Sequence, residues 1–130
     1  MSLVFDTSIL IDIERGNKKT INRLENLYKS YQSSPQLTFI SFFEYLIGLK
    51  IRKSKSFQTN LIFLKKFNVL HTTISSAEIL SDLKIKYDRK GISLSLADLL
   101  SASIAIDNSL TLVTKDKDFE KIEELKKIIL

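Results

Sequence analysis

The sequence contains no cysteine and no tryptophan, one histidine (His71), one proline (Pro35) and three glycines (Gly16, Gly48 and Gly91). Without cysteine there are no disulfides, no thiolate zinc or iron–sulfur sites and no cysteine nucleophile. A single histidine excludes a multi-histidine metal centre and most histidine-based general-base schemes. Any catalysis must therefore run on carboxylates or hydroxyls. No glycine-rich phosphate loop exists, which excludes nucleotide hydrolysis through a P-loop. No Pro/Gly/Ser-rich linker, internal repeat or low-complexity tract divides the chain. Runs of about 18 apolar residues are also missing, so no membrane span is expected. The opening Met1-Ser2-Leu3-Val4-Phe5-Asp6 has neither the basic start nor the long apolar run of a signal peptide, and the expected location is the cytoplasm.

What is present fits one folded domain over residues 1–130, with 44% hydrophobic residues to form a core. Lys plus Arg number 20 against 15 Asp plus Glu, a net charge of +5 that suits an anionic partner such as nucleic acid. Leu3-Val4-Phe5 reads as a strand buried on both faces, followed by Asp6-Thr7-Ser8 as cap for a helix over Ile9 to Arg15 that stops at Gly16. A second helix is predicted from Lys19 to Tyr31, then a strand at Leu37 to Ile40. Ser41-Phe42-Phe43-Glu44 reads as a capping box opening a helix to about Arg52. Further helices follow over Phe57 to Phe67 (capped by Ser56), from Ser75 or Ser76 to near Gly91, and from Ser95 to Asp107. The remaining strands are Val69 to His71, Leu110 to Val113 and Lys127 to Leu130, the last on an edge. Alternation of this kind predicts an α/β domain with a mainly parallel central sheet, which binds ligands at the carboxyl ends of its strands.

Five acids fall on that edge of the predicted sheet. Asp6 follows the first strand, Glu44 lies one turn beyond the second, Asp98 opens the helix leading to the fourth, and Asp116 and Asp118 follow the fourth. Taken singly, each has an ordinary role: Asp6 as a cap, Glu44 and Asp98 as capping-box partners of Ser41 and Ser95, Asp116 and Asp118 in a solvated turn beside Lys115 and Lys117. Caps need not gather at one edge, however, and buried or converging carboxylates call for a partner or a cation. Glu44 shares a helix face with Ile47, Gly48 and Ile51, and Asp98 shares one with Ser101, Ala102 and Ala105. Oxygen-only ligands suit Mg²⁺ or Mn²⁺, one or two ions, and such ions activate water for phosphodiester hydrolysis. Lys50, Arg52, Lys53, Lys115 and Lys117 are candidates to track a phosphate backbone near this edge. Phe39, Phe42, Phe43 and Tyr45 are expected in the core or a subunit interface, and His71 is expected to be a packed or surface residue.

The motifs resemble those of PIN domains. Phe5-Asp6-Thr7-Ser8-Ile9-Leu10-Ile11-Asp12 is similar to their opening motif, Phe43-Glu44-Tyr45-Leu46-Ile47-Gly48-Leu49 to the helix carrying their glutamate, Ala97-Asp98-Leu99-Leu100-Ser101-Ala102 to their third motif, and Leu112-Val113-Thr114-Lys115-Asp116-Lys117-Asp118-Phe119 to their fourth. The order and spacing resemble the short prokaryotic VapC-type toxins. That resemblance implies a three-layer α/β/α domain with four or five strands, and a Mg²⁺- or Mn²⁺-dependent endoribonuclease forming the toxin of a VapBC-type toxin–antitoxin pair. It also implies a VapB-like antitoxin partner and a homodimer. The metal-binding acids carry over to Asp6, Glu44, Asp98 and Asp116, with Asp118 as the other choice for the fourth position. Thr7, Ser8 and Thr114 match polar positions that support the acidic site. In-line attack by activated water would leave a 5′-phosphate and a 3′-hydroxyl.

Three other classes are weighed. A phosphate-receiver domain needs an acidic pair after the first strand and an acceptor Asp after the third, where this chain has Thr7 and His71-Thr72-Thr73. A haloacid-dehalogenase-like phosphatase needs Asp-x-Asp after the first strand, but Ser8 occupies the second position. A catalytically silent relative that binds RNA or protein without cutting is the remaining alternative.

Overall fold

The computed structural model describes residues 2–31 and 33–130. The elements run β1 (Leu3–Phe5), α1 (Thr7–Glu14), α2 (Lys18–Tyr28), β2 (Gln36–Thr38), α3 (Phe39–Ile51), α4 (Phe57–Lys65), β3 (Asn68–Leu70), α5 (Ile74–Arg89), α6 (Leu96–Asp107), β4 (Thr111–Thr114), a 3₁₀ turn (Lys117–Lys121) and β5 (Lys127–Ile129). All strand pairs are parallel, in the order β3-β2-β1-β4-β5. This is the expected architecture with its fifth, edge strand present.

Alternation of side chains along the strands divides the core between two faces. Leu3 and Phe5 point with Leu37 and Val113 into a cluster with Ile9 and Leu10 of α1, Leu24 of α2, Tyr45 and Leu49 of α3 and Leu64 of α4. Val4 and Leu112 point the other way, against Leu83 and Tyr87 of α5 and Leu99, Ala102 and Ala105 of α6. Each fully buried large apolar side chain contributes about 1.5–3 kcal/mol, which is how strands of three residues persist in a central position. The result is the three-layer α/β/α arrangement.

The register places the site. Phe5 pairs with Leu37 on one side and with Val113 on the other, so the next residues, Asp6, Thr38 and Thr114, lie level along the carboxyl edge. The chain leaves β1 toward β2 on one side and returns later as β4 on the other, so this edge is also where the strand order reverses.

Several local expectations are corrected. Phe39 and Ile40 belong to α3, not to a strand, because Thr38 is the cap: its hydroxyl accepts the Ser41 N–H at 3.2 Å. The expected capping box of Ser41 with Glu44 therefore does not start this helix. Thr73, rather than Ser75 or Ser76, caps α5, in a reciprocal box with Ser76. Asn17 caps α2, which ends at Tyr28 rather than Tyr31. Ser56 precedes α4 without a side-chain capping bond, α4 ends at Lys65, and His71 lies outside β3. Gly16 and Gly91 do act as stops, adopting φ of +67° and +70° just beyond their helices, a conformation in which any side chain would be strained.

Candidate active site

Asp6 is the deepest of the acids, 9% exposed at the junction of β1 and α1. It occupies the N-cap position of α1, yet its side chain makes no capping bond. Its Oδ2 instead accepts the Ser8 hydroxyl at 2.9 Å and the Thr114 hydroxyl at 2.8 Å. The carboxylate is therefore held by hydroxyls of α1 and β4 and not by the free N–H groups of its own helix. Thr114 has a second bond, accepting the Asp116 N–H at 3.0 Å. One hydroxyl at the end of β4 thus ties the β1 acid to the segment carrying Asp116.

Glu44 projects from α3 and is exposed. Its Oε1 accepts the Thr7 hydroxyl at 3.0 Å. The face it shares with Ile47 and Ile51 is not buried: Phe39, Phe43, Ile47 and Ile51, each four residues apart, form an exposed apolar stripe along α3. Of the aromatics expected in the core, only Tyr45 is fully buried there, Phe42 being partly so. Burial and the nearby Glu14 carboxylate push the Tyr45 hydroxyl up to about 12. His71 is exposed and lies 5.8 Å, centroid to centroid, from Phe39.

Asp98 sits in the first turn of α6, and its N–H is capped by the Ser95 hydroxyl at 3.1 Å. Ser101, Ala102 and Ala105 on the same face are buried. Ser101 meets the Thr38 hydroxyl at 3.3 Å, a buried contact that joins the start of α3 to α6 beneath the acids. Asp116 starts the 3₁₀ turn, its Oδ1 accepting the Asp118 N–H at 2.9 Å. Carboxylate oxygens of Asp98, Asp116 and Asp118 lie within 4.8 Å of one another. Asp118 also pairs with Lys121 at 3.1 Å.

The electrostatics mark Asp98 as the centre. Burial is the largest influence and pushes its carboxyl up to about 6; the Ser95 hydrogen bond, next in size, opposes it, and the charges of Asp116, Asp6 and Glu44 add smaller upward pushes. Three other acids therefore act on one carboxyl, and no cation is among the groups that relieve it. An all-oxygen donor set with uncompensated negative charge fits a hard divalent cation of the Mg²⁺ or Mn²⁺ kind.

The basic residues are less uniform. Lys50 is exposed near the end of α3, roughly 9 Å along the helix from Glu44 at 1.5 Å per residue, and Lys53 is exposed just beyond it. Arg52 grips the Glu14 carboxylate with one nitrogen 3.1 Å from each oxygen. It also lines, with Thr7, Ile11, Arg15, Glu44, Tyr45 and Gly48, a cleft of about 180 Å³ running along α3 from the acidic edge. Lys117 is exposed between Asp116 and Asp118. Lys115 is already engaged, its ammonium 2.8 Å from Asp12.

Asp12 received no role from its position in the opening motif. It is 8% exposed and accepts from Thr20 as well as Lys115. Burial alone would raise its pKa, but those hydrogen bonds and the lysine charge outweigh it and hold the carboxyl low. The available signal was a lone acid among Ile9, Leu10, Ile11 and Ile13, which a helix buries only with partners.

The PIN domain family model matches residues 3–125. Ribonuclease VapC2 of Rickettsia felis is 28% identical over 128 residues, covering 96% of this chain and 95% of the relative. Ribonuclease VapC3 of Methanocaldococcus jannaschii is 32% identical over 105 residues, covering 80% of this chain and 98% of the relative. Among solved structures, the crystal structure of VapBC2 from Rickettsia felis bound to a DNA fragment from its promoter superposes with a TM-score of 0.83 at 26% identity, covering 100% of this chain and 99% of the other.

Proposed function

The chain belongs to the PIN domain family, and from that premise we propose that it is a divalent-metal-dependent endoribonuclease, the toxin of a VapBC-type pair. Names of the relatives support the ribonuclease part, and the VapBC complex supports a small antitoxin partner of the VapB kind. The observation that carries the reading is the setting of Asp98: a half-buried carboxyl with oxygens of Asp116 and Asp118 within 4.8 Å, pushed up to about 6 by burial and by the charges of Asp116, Asp6 and Glu44. Ordinary surface acids in a chain of net charge +5 would sit beside cations.

Asp6, Glu44, Asp98 and Asp116 are the residues that would hold one or two Mg²⁺ or Mn²⁺ ions. Asp116 is preferred to Asp118, because its charge acts on Asp98 while Asp118 is paired with Lys121. Such an ion, when bound, supplies activation of water and neutralisation of the scissile phosphate. The protein's own part is orientation. Ser8 and Thr114 fix the Asp6 oxygen, Thr7 fixes Glu44, and the Asp118 N–H fixes Asp116. These bonds set ligand directions before any ligand arrives. Lys117 beside the acids, with Lys50 and Lys53 along α3, are the cations proposed to follow the RNA backbone. Arg52 and Lys115 act first within the protein. The exposed stripe of α3 is read as a surface for protein partners, a second copy of the chain included, and the protein is read as cytoplasmic; among the described residues no helix is long and apolar enough to cross a membrane.

The test compares wild type with Asp98→Asn on a pool of structured RNAs, with Mn²⁺ or Mg²⁺ and with chelator, after both proteins are shown to be folded. Cleavage needs metal and falls in the variant by more than about 100-fold, beyond the loss typical of residues that only orient a ligand. Products carry a 5′-phosphate; a 2′,3′-cyclic phosphate would overturn the water-activation reading. A folded wild type that neither cuts RNA nor binds Mn²⁺ would instead be a silent binding module.

A further inference from the structure

We infer that Asp12 is a positioning residue for the acidic site, holding through Lys115 the segment that carries Asp116 and Asp118. The inference rests on the nuclease reading above and concerns how the fourth acid is kept in place.

Lys115 is fastened to one face of α1 at two points. Its backbone N–H donates to the Ser8 hydroxyl at 3.0 Å, and its ammonium reaches Asp12 at 2.8 Å. Ser8 and Asp12 are four residues apart on α1, one above the other on the same face. The lysine stem therefore lies along the helix, main chain at one end and charge at the other. Its side chain is 40% exposed, so water was available to it, and holding a lysine in one conformation costs rotamer entropy. An ordered lysine on a buried aspartate fixes both the position and the direction of the chain as it leaves β4. The next residue is Asp116, whose N–H is bound to Thr114, and Asp118 is bound in turn to Asp116. A rotation at Lys115 would carry both carboxylates away from Asp98.

Asp12 also accepts from Thr20 at 2.5 Å, which ties α1 to α2. That second contact allows the structural contribution to be separated from the positioning one. The experiment is a calorimetric titration of the purified protein with Mn²⁺ in the absence of RNA, alongside its melting temperature. Lys115→Met and Asp12→Asn each weaken Mn²⁺ binding by about tenfold, the scale typical of residues that orient a metal ligand. The double variant is no worse than either single one, because both cut the same link. Lys115→Arg, which keeps the charge and the reach, restores most of the affinity. Thr20→Val lowers the melting temperature and leaves Mn²⁺ binding near wild type.

The sign for Lys115→Met is decisive. Deleting a positive charge next to a cation site would by field alone tighten Mn²⁺ binding. Lys115→Met that binds as tightly as wild type, or more tightly, overturns the inference. So does a Thr20→Val that loses as much affinity as Lys115→Met. A wild type that binds no Mn²⁺ overturns the nuclease reading itself, and this inference with it.

Discussion

Charge is concentrated at two places in this fold, and they are built in opposite ways. Where α5 meets the segment after the 3₁₀ turn, signs alternate: the Lys86 ammonium lies 3.2 Å from Glu123 and 2.8 Å from Glu124, and Lys90 lies 3.6 Å from Glu123. The Tyr87 hydroxyl donates to Glu124 at 2.6 Å and accepts the Glu123 N–H at 2.8 Å. Hydrogen bonds from Lys86 hold Glu123 low. Burial would raise Glu124, but the Lys86 and Tyr87 hydrogen bonds outweigh it and hold it low too, while the two glutamates raise Lys86. At the carboxyl edge of the sheet Asp118 keeps an ion pair with Lys121, but the charges acting on Asp98 are all negative, and Asp98 is pushed up instead of down. A compensated cluster is complete and joins two elements. An uncompensated one is held by hydroxyls that fix oxygen positions without cancelling charge.

That contrast can be broken most severely at Thr114. Thr114→Val keeps the shape but removes the donor to Asp6 and the acceptor for the Asp116 N–H. RNA cleavage should fall about 10–100-fold, measured as kcat/KM with Mn²⁺, because two ligand directions are lost together. Cleavage at the wild-type rate would show that the hydroxyl is only a packing group.

Next in size is the dependence on pH, where Asp98 gives opposite signs to two measurements. Its folded pKa, about 6, lies above the ordinary 3.8. The metal-free folded state therefore holds a proton that the unfolded chain has lost between those values, and the contribution of Asp98 to metal-free stability declines as pH rises through this window. Cation binding must expel that proton, so Mn²⁺ affinity rises by about tenfold per pH unit up to roughly pH 6 and then levels. Asp98→Asn should abolish that contribution. Calorimetry and thermal melts across pH 4–8 check both, and a flat affinity profile would remove Asp98 from the ligand set.

The smallest effect on activity belongs to the compensated cluster. Tyr87→Phe leaves the Glu123 N–H and the Glu124 carboxylate each short of a partner and should lower stability by about 1–2 kcal/mol. RNA cleavage per folded molecule should not change. A matching loss of activity would mean that the two charge clusters are coupled through α5 and α6, and the contrast between them would lose its functional meaning.

The layout of strands and helices was legible because β1 and β4 are buried on both faces and read as unbroken apolar runs, and because Gly16 and Gly91 mark helix ends. The convergence of acids was legible from the rule that parallel sheets gather function at their carboxyl edge. Cap identities were not. Thr38 and Thr73 compete with serines two or three positions on, and tertiary burial decides which hydroxyl is left facing the helix N–H groups. The roles of Arg52 and Lys115 were hidden for a related reason. Their charges suggest an external anion, but Glu14 and Asp12, distant in sequence, reach them first. Tyr45 and Phe43 show the same limit, since neighbours on one helix ended up buried and exposed.

The bond from Thr114 to Asp6 spans 108 residues of sequence. During synthesis, at about 5–20 residues per second, some 5–20 s separate the appearance of the two partners. Until β4 has emerged, β1 lacks a neighbour on that side, Asp6 lacks one of its two donors, and Asp116 does not exist. The acids therefore cannot assemble before the segment carrying Asp116 has been made. For an enzyme proposed to cut RNA, a fold whose first and fourth strands must meet before any chemistry begins is also a timer.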